Sequence, residues 1–444
     1  MPKPPAKLFI CSKCDAQSLK WAGQCESCGG WGTVHEEGAK TEDRGGSRPK
    51  TAAGKPSAFA ELGAASTFPK QVTKLAVWDR VLSGGLTPGS VTLVGGEPGI
   101  GKSTLLAQLA LTIASQGKQV MYVTGEESPS QVALRLRRLS PTIPSTLSFL
   151  DHTDADTIAA TIREKKPALT IIDSVQTLRT AGLTGEMGNP TQLKASAAIV
   201  SEAAKQTQAP VVFVGQVTKD GDLAGPRLLE HLVDTVIMLE GDRFQALRWL
   251  RLVKHRFGST EESAILSMKE TGLEEVLDPS AALLADRPKN VPGTIVTCLA
   301  QGARQVLVEI QALVTPAGYG TPSRRATGVD QNRVSLLLAV LGRRAGINFS
   351  DQDVFVNVVG GVEAKDPSID LAIALALASA KTDVAIPSDV AAWGEIGLTG
   401  EVRLVSAQHL RTKEAARLGF KTILEPKESS LNVREAINAL RLRS

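Results

Sequence analysis

The segment from Gly96 to Ser103 reads GEPGIGKS and has the residue types and spacing of a phosphate-binding loop. Glycines let such a backbone wrap closely around a phosphate chain, and N–H groups at the start of the following helix point at the anion. Lys102 is expected to reach the β- and γ-phosphates, and the Ser103 hydroxyl to ligate Mg²⁺. The residues predicted to bind ATP here are Gly96, Glu97, Pro98, Gly99, Ile100, Gly101, Lys102, Ser103 and Thr104.

Further polar side chains stand where apolar strands are predicted to end. One apolar run ends in Asp173, a position at which a carboxylate holds Mg²⁺ directly or through water. Glu126 comes just after another such run and is expected to orient the attacking water. Its neighbour Glu127 fits equally well as an acid that favours the start of a helix. Gln216 ends a third run and is expected to sense the γ-phosphate.

Four of the five cysteines form two C-x2-C pairs separated by ten residues. Each pair places two thiolates on one tight turn, and two such turns can close a tetrahedron around Zn²⁺. The expected ligands are Cys11, Cys14, Cys25 and Cys28. A redox role is the alternative, and the presence of two paired motifs argues against it. Trp21 and Trp31 are predicted to form the small core beside the metal, although such rings can also stack on bases.

The composition is that of an ordinary globular chain, with 444 residues of which 42% are hydrophobic and 22% charged. This length leaves room for two or three domains. The net charge of +4 permits nucleic-acid binding without arguing for it. No apolar run reaches the length of a membrane-spanning helix, and the N-terminus lacks the apolar segment of a secretory signal. These features predict a cytoplasmic protein with no membrane partner.

The sequence divides into three predicted folded parts and a linker. Residues 1–35 are the C4 zinc module, and residues 36–60, rich in Gly and Pro without periodicity, are a flexible linker. Between 61 and 285 strands alternate with helices, which predicts an α/β domain whose parallel sheet binds its ligand at the carboxyl ends of the strands. Residues 286–444 have their own strands and helices and form a third domain.

Three stretches together resemble the bacterial RadA (Sms) family of RecA-related DNA repair proteins. They are the loop GEPGIGKST, the loop TKDGDLAGPR at 218–227 and the stretch KHRFG at 254–258, and the four-cysteine module fits the same family. The resemblance implies an α/β fold with a RecA-like P-loop ATPase core, an N-terminal zinc knuckle and a C-terminal α+β Lon protease-like domain.

The same resemblance implies an activity and a set of partners. It implies an ATP-driven motor, a DNA helicase or branch-migration enzyme that acts in homologous recombination and assembles as a hexameric ring. The implied partners are single-stranded DNA, branched recombination intermediates and the RecA recombinase. The implied cofactors are ATP, Mg²⁺ and Zn²⁺.

One position departs from the family signature, which reads KNRFG: His255 replaces the asparagine, while Lys254 and Arg256 are kept. Residues i and i+2 of an extended segment point the same way, so the two cations are aimed together. In RecA-like rings such a pair reaches the neighbouring subunit's γ-phosphate and stabilises the transition state. The alternative is a surface pair that neutralises Glu261 and Glu262.

The C-terminal part resembles the Lon proteolytic domain, with a predicted hairpin over 295–313 and helices over 335–344 and 368–380. Ser368 lies near the Lon nucleophile motif and Lys413 near its dyad lysine, which leaves an ATP-dependent Ser-Lys peptidase as an alternative function. The residues around Ser368 differ from the Lon pattern, and Ser368 can equally be the N-cap of the following helix.

The DNA contacts have several candidates in the sequence. Two long glycine-rich loops, 180–190 and 218–227, either face DNA in a central channel or connect elements at the surface. A local group of arginines could hold duplex phosphates or form a solvated face; its members are Arg324, Arg325, Arg333, Arg343 and Arg344. A third functional alternative is an ATP-switched DNA-binding adaptor without motor activity.

Overall fold

In a computed structural model the chain forms two compact units, Met1–Ala65 and Ser66–Ser444. The structure describes residues 9–14, 16–18, 20–36, 69–216, 226–241, 247–302, 304–318, 321–364, 366–426 and 431–442. The predicted linker beyond residue 36 and most of the predicted loop at 218–227 lie outside the described residues. The domain boundaries drawn from the sequence stay predictions.

The first unit contains a small antiparallel sheet. Its strands are β1 (Phe9–Cys11), β2 (Gln17–Ser18) and β3 (Val34–Glu36), in the order β2-β1-β3. The buried residues of this unit are Cys11, Cys25 and Val34, with Phe9, Ala16 and Cys28 packed against them. Cysteine side chains therefore make up half of this small core.

The second unit begins with a sheet of nine strands, whose central strands are buried on both faces. The strands are β4 (Val91–Gly96), β5 (Val120–Thr124), β6 (Leu147–Asp151), β7 (Leu169–Asp173), β8 (Val211–Gln216), β9 (Thr235–Glu240), β10 (Leu247–His255), β11 (Ser263–Lys269) and β12 (Gly272–Glu275). They pair in the order β12-β11-β10-β9-β4-β8-β7-β5-β6. From β9 to β6 neighbours are parallel, whereas β9 to β12 form an antiparallel meander. The mostly apolar sequences of β5 and β7 suit strands covered on both faces.

Helices cover both faces of this sheet. They are α1 (Ala76–Val81), α2 (Lys102–Ala114), α3 (Pro129–Leu139), α4 (Ala155–Lys165), α5 (Pro190–Thr207) and α6 (Pro226–Leu229). Helices α1, α2 and α3 pack on one face, and α4 and α5 on the other. Local sequence sets their starts: Ser128 and Gln131 form a capping box on α3, and Asp154 and Asn189 cap α4 and α5.

The rest of the second unit is built on a six-stranded sheet and a small three-stranded one. The remaining strands are β13 (Thr294–Gln301), β14 (Arg304–Pro316), β15 (Arg324–Thr327), β16 (Gln352–Val358), β17 (Val390–Ala392), β18 (Glu395–Ile396), β19 (Glu401–Arg403), β20 (Thr422–Leu424) and β21 (Leu431–Asn432). The sheet orders are β15-β16-β14-β13-β17-β20 and β18-β19-β21. The predicted hairpin is confirmed, because β13 pairs antiparallel with β14.

Five helices accompany these two sheets. They are α7 (Pro279–Leu284), α8 (Gln331–Val340), α9 (Asp370–Thr382), α10 (Gln408–Arg417) and α11 (Val433–Ala439). Residues 370–379 of α9 are all buried, which explains its Leu/Ala-rich sequence. The alternative that Ser368 is the N-cap of this helix is wrong, because Ser368 lies within a short 3-10 turn before it. Asp366 caps that turn, and its carboxylate accepts from the Ser368 N–H. None of the described helices is long and apolar enough to cross a bilayer.

One hydrophobic cluster of the second unit contains buried side chains from both large sheets. Trp249 of β10 and Ile265 of β11 pack in the same cluster as Leu283 and the buried face of α9. The Ser263 hydroxyl donates to the Gln301 carbonyl at 2.7 Å. Burial of side chains from both sheets in one cluster explains why residues 66–444 form a single compact unit.

Candidate nucleotide and metal sites

The predicted phosphate-binding loop connects β4 to α2, and its backbone requires glycine at particular points. Gly96 and Gly101 have φ of 156° and 115°. A Cβ at Gly96 would lie 2.4 Å from the Leu239 carbonyl oxygen, and one at Gly101 would lie 2.7 Å from Cε of Met268. The backbone contact at Gly96 and the positive φ at Gly101 both disfavour larger residues, so the glycines of the motif serve the local backbone as well as phosphate access.

Two basic side chains donate hydrogen bonds to backbone carbonyls of this loop. The Lys102 ammonium donates to the carbonyls of Gly96 at 2.8 Å and Glu97 at 2.9 Å. Arg248 of β10 is buried, and its Nε donates to the Ile100 carbonyl at 3.2 Å. Sequence reasoning missed Arg248, because a lone arginine carries no motif.

The carboxylate of Asp173 lies at the end of β7, where it is only 8% exposed. It accepts a hydrogen bond at 2.8 Å from the hydroxyl of Tyr122, which lies on the neighbouring strand β5. Burial, together with the charge of Asp173, raises the pKa of Tyr122 well above its usual range. The phenol is therefore protonated and donates. Nothing in the sequence singled out Tyr122, since a tyrosine in an apolar strand reads as core.

The two glutamates after β5 have different partners. Glu126 is exposed and accepts a hydrogen bond from the hydroxyl of Ser174, the residue after Asp173. Glu127 forms an ion pair with Arg135 of α3. Glu126 is thus the carboxylate that lies beside the end of β7, in agreement with the choice made from sequence, while its chemical role stays a prediction.

Gln216 ends β8 directly beside the phosphate-binding loop, because it pairs in register with Gly96 of β4. Its side chain is exposed, and its carbonyl lies 3.4 Å from the Gln176 side-chain amide. The register brings Gln216 to the edge where Gly96 begins the loop. Its predicted role as a γ-phosphate sensor remains a prediction.

Lys254 and Arg256 both contact the segment that precedes β9. The Lys254 ammonium donates to the carbonyls of Glu230 and Val233. Arg256 is half-exposed, and its Nη1 lies 3.1 Å from Oδ1 of Asp234. Burial and then the charge of Arg256 lower the pKa of Lys254. Both cations thus contact residues 230–234, while their predicted role stays a prediction.

The alternative partners proposed for this pair are not the ones observed. Arg256 pairs with Asp234, whereas Glu262 lies 3.8 Å from Arg80. His255, at the position of the family asparagine, keeps a polar contact of 2.9 Å between its Nδ1 and the Thr235 hydroxyl.

The four predicted zinc ligands come together in the first unit. Their sulfur atoms all lie within 4.8 Å of one another, with Cys11 and Cys28 at 3.7 Å and Cys14 and Cys25 at 3.6 Å. A tetrahedral site with Zn–S bonds of about 2.3 Å needs sulfurs roughly 3.8 Å apart. The thiols therefore fit zinc, and Gly29 takes the positive φ of 68° that the second turn requires.

The predicted packing role of the two tryptophans is wrong. Trp21 is 66% exposed and Trp31 is 76% exposed. In so short a module the cysteines themselves fill the interior, which leaves no room for two indole rings. Both rings lie instead near Gly23, within 3.9 Å of the position that a Cβ there would occupy.

The Lon-like serine has a different partner from the expected lysine. Ser368 is completely buried, and its hydroxyl lies 2.9 Å from Nη1 of Arg411 rather than beside Lys413. Arg411 is also completely buried and forms an ion pair with Asp366 at 2.8 Å. A guanidinium is not deprotonated in proteins. Arg411 therefore cannot act as the general base of a serine peptidase.

The predicted arginine group is divided by the structure. Nε of Arg333 donates to Oδ1 of the buried Asp370 at 2.9 Å, beside a cavity of about 560 Å³. Arg324 and Arg325 lie on β15, whereas Arg343 and Arg344 follow the ten-residue helix α8. A helix of that length separates its ends by about 15 Å. Arg343 and Arg344 therefore lie well apart from Arg333 near the start of the same helix.

Known domain families match successive parts of the chain. The rubredoxin metal binding domain matches residues 9–36, the AAA domain residues 66–222, and the Lon protease (S16) C-terminal proteolytic domain residues 340–442. These matches confirm the predicted fold class, an α/β ATPase core between an N-terminal zinc module and a C-terminal Lon protease-like domain.

Relatives are similar along almost the entire chain. The DNA repair protein RadA of Bacillus subtilis is 44% identical over 94% of this chain and 92% of that protein. The protein of the same name from Aquifex aeolicus is 43% identical over 96% and 94%. That of Escherichia coli is 41% identical over 96% and 94%. Together with the P-loop, the cysteine site and the domain matches, these similarities show that the chain belongs to the bacterial RadA family of DNA repair proteins.

Proposed function

We propose that this RecA-like ATPase is a motor that uses ATP hydrolysis to move along single-stranded DNA in recombination intermediates. The observation that best supports the proposal is the convergence of functional groups at one sheet edge. The phosphate-binding loop, Asp173 and Glu126 all follow strands of the parallel part of the sheet at their carboxyl ends. This is where open α/β sheets bind their ligands.

The proposed chemistry assigns one task to each of these groups. Lys102 exchanges the carbonyls of Gly96 and Glu97 for phosphate oxygens, while Ser103 and Asp173 hold Mg²⁺. Bound Mg²⁺ supplies positive charge against the phosphates. Glu126 orients a water for attack on the γ-phosphorus, so that the bond to the ADP oxygen breaks and ADP, phosphate and a proton leave. We assign the sensing of the γ-phosphate to Gln216.

The ring is part of the proposal. Lys254 and Arg256 lie together on the carbonyls and carboxylate of residues 230–234, and Arg256 remains 52% exposed on its side chain. Its partner Asp234 is buried and also accepts a hydrogen bond from the Val91 N–H at 3.0 Å, so this carboxylate keeps a donor when the half-exposed Arg256 turns toward a neighbouring subunit. We propose that the pair completes the active site of the adjacent protomer in a hexamer.

DNA is proposed as the track because the relatives are named as DNA repair proteins. In the loop at 180–190 every residue after the buried Thr180 is exposed. It and the loop at 218–227 are proposed to contact DNA.

We further propose the cytoplasm as the location, Zn²⁺ in the four-cysteine site and the RecA recombinase as a partner.

Two alternative functions, a Ser-Lys peptidase and an ATP-switched adaptor, can be distinguished from the proposed motor by observation or experiment. The burial of Ser368 and its contact with Arg411 argue against a peptidase. An adaptor switched by ATP would bind DNA in a nucleotide-dependent way with negligible turnover.

The test combines three measurements on the full chain. ATPase rate is measured with and without single-stranded DNA, oligomeric state by light scattering, and strand displacement on a branched substrate. The motor predicts a rate that DNA stimulates and strand movement that requires hydrolysis, both lost in Lys102→Ala. DNA binding without stimulated turnover would favour the adaptor instead.

A further inference from the structure

The phenol of Tyr122 is tied to Asp173 and is closed off from solvent. Tyr122 is 1% exposed, and its ring packs in the core between the sheet and helices α2 and α3. The hydroxyl donates to Oδ2 of Asp173 at 2.8 Å, across from the adjacent strand. At this depth water cannot replace the phenol as a donor, so the two side chains depend on each other.

The strand register explains how this contact arises. Thr124 pairs with Asp173, and Tyr122 pairs with Ile171 two residues earlier. Side chains two apart on a strand share a face, so the Tyr122 side chain lies beneath the Asp173 carboxylate on the side of α2. A tyrosine side chain is long enough to reach the Asp173 carboxylate from β5, and its ring packs in the hydrophobic cluster below that carboxylate.

We propose that Tyr122 is a positioning residue for Mg²⁺-bound nucleotide, holding Oδ2 of Asp173 so that Oδ1 stays available to the ion or its water. The inference rests on the proposed ATPase function and deepens it. Outer partners of this kind orient the groups that hold a metal, and their loss typically costs about 10–100-fold in metal affinity or activity.

The test substitution is Tyr122→Phe, which keeps the buried ring and removes only the hydroxyl. Binding of a fluorescent ADP analogue to the full chain is titrated with Mg²⁺, and ATPase rate is measured in parallel. We expect the Mg²⁺ concentration for half-maximal nucleotide binding to rise about tenfold. Affinity for the analogue in EDTA should stay unchanged, which a general loss of folding would not allow.

The matched control is Ser148→Ala on β6. This hydroxyl donates at 3.0 Å to the Val120 carbonyl, on the same strand as Tyr122 but away from Asp173. We expect its Mg²⁺ titration to match the wild type. Should Tyr122→Phe lower the melting temperature strongly, Tyr122→Met provides a second side chain of similar apolar volume without the donor.

A double-variant cycle separates positioning from packing. If Tyr122 acts through Asp173, Tyr122→Phe should add nothing to the Mg²⁺ requirement of Asp173→Asn. An unchanged Mg²⁺ titration in Tyr122→Phe, while the wild type shows Mg²⁺-dependent nucleotide binding, would overturn the inference alone. Absence of Mg²⁺-dependent binding and hydrolysis in the wild type would overturn the proposed function and the inference with it.

Discussion

The two neighbouring glutamates after β5 differ in what they are free to do. Glu127 is held by the guanidinium of Arg135. Glu126 instead lies beside the residue that follows Asp173, with a single hydroxyl donor from Ser174. A carboxylate that is to accept a hydrogen bond from water needs an accessible oxygen, and Glu126 is exposed. The contacts therefore favour Glu126 as the water-orienting group.

Glu126→Gln should retain ATP binding and lose turnover by roughly 10²-fold or more, the ordinary contribution of a positioned base. The change is isosteric, so nucleotide affinity measures whether the loop stays intact. The control is Glu127→Gln, which removes charge from the neighbouring position and weakens the ion pair with Arg135. If Glu126→Gln hydrolyses ATP at the normal rate, the assignment to Glu126 is incorrect.

Functional residues that belong to a motif could be predicted from the sequence, whereas functional residues outside any motif could not. The P-loop and the cysteine pairs have fixed spacings that follow from phosphate and metal geometry. Tyr122 and Arg248 act through contacts across strands, and such contacts depend on sheet order and register. The same limit applies to Ser368. The sequence match pairs it with Lys413, and only the position of helix α10 in the structure shows that Arg411 contacts the serine.

Ser368→Ala should leave ATPase and DNA activities intact. The variant removes a buried acceptor from Arg411, so we expect a loss of about 1–3 kcal/mol in the free energy of unfolding and no loss of chemistry. The measurements are chemical denaturation, ATPase rate and labelling by a serine-directed phosphonate. Covalent labelling of Ser368 in the folded wild type would contradict the structural role assigned to it.

Among the elements, the zinc module depends on its metal more than on its core. Its strands have two or three residues each, and the described interior consists of six side chains, three of them cysteines. An apolar interior of this size cannot stabilise a fold in water without a metal or cross-links. Metal binding is therefore expected to supply most of the folding free energy of this element.

Cys28→Ala should release the metal and unfold the first unit alone. The zinc content of the purified full chain, measured by elemental analysis, should fall from one zinc per chain toward zero. The thermal transition of residues 66–444 should stay unchanged, because they form a separate compact unit. Cys298→Ala is the matched control, since this cysteine belongs to β13 of the second unit and is buried there. A full zinc content in Cys28→Ala would refute the ligand assignment.

Strands were easier to predict than the ends of helices. The apolar runs that became β5, β7 and β8 are bounded by polar residues, and buried parallel strands allow few polar positions. The predicted helix over 335–344 begins four residues earlier, because Asp330 caps α8, and it ends in a π-helical turn. Turn geometry of this kind depends on packing against neighbouring elements, which a single sequence does not display.

At the scale of the whole molecule, the position of Lys254 and Arg256 makes a prediction about assembly. Among the described contacts, both side chains bind residues 230–234 of their own chain, and the role proposed for them lies across a subunit boundary. Exchange of subunits between inactive variants can test this directly, because each boundary in a ring combines residues from two chains.

Arg256→Ala and Lys102→Ala proteins should each be inactive, and mixtures should recover part of the ATPase rate. A boundary with Lys102 from one protomer and Arg256 from the other would be complete. Subunit exchange is verified by energy transfer between labelled chains, and Arg251→Ala is the control, since that side chain forms an exposed pair with Glu240. Exchange without recovery at any mixing ratio would mean that Arg256 acts within its own chain.

The hydrophobic cluster that joins the two large sheets of the second unit limits the motions available to the proposed motor. Trp249 and Ile265, from the ATPase meander, are buried among side chains of the C-terminal sheet, and Glu275 bridges Arg80 and Arg304 across the same junction. Bending the protomer at this point would expose that apolar surface to water. We therefore expect residues 66–444 to move as one rigid body, so that the proposed motor would work by sliding between adjacent subunits of the proposed ring.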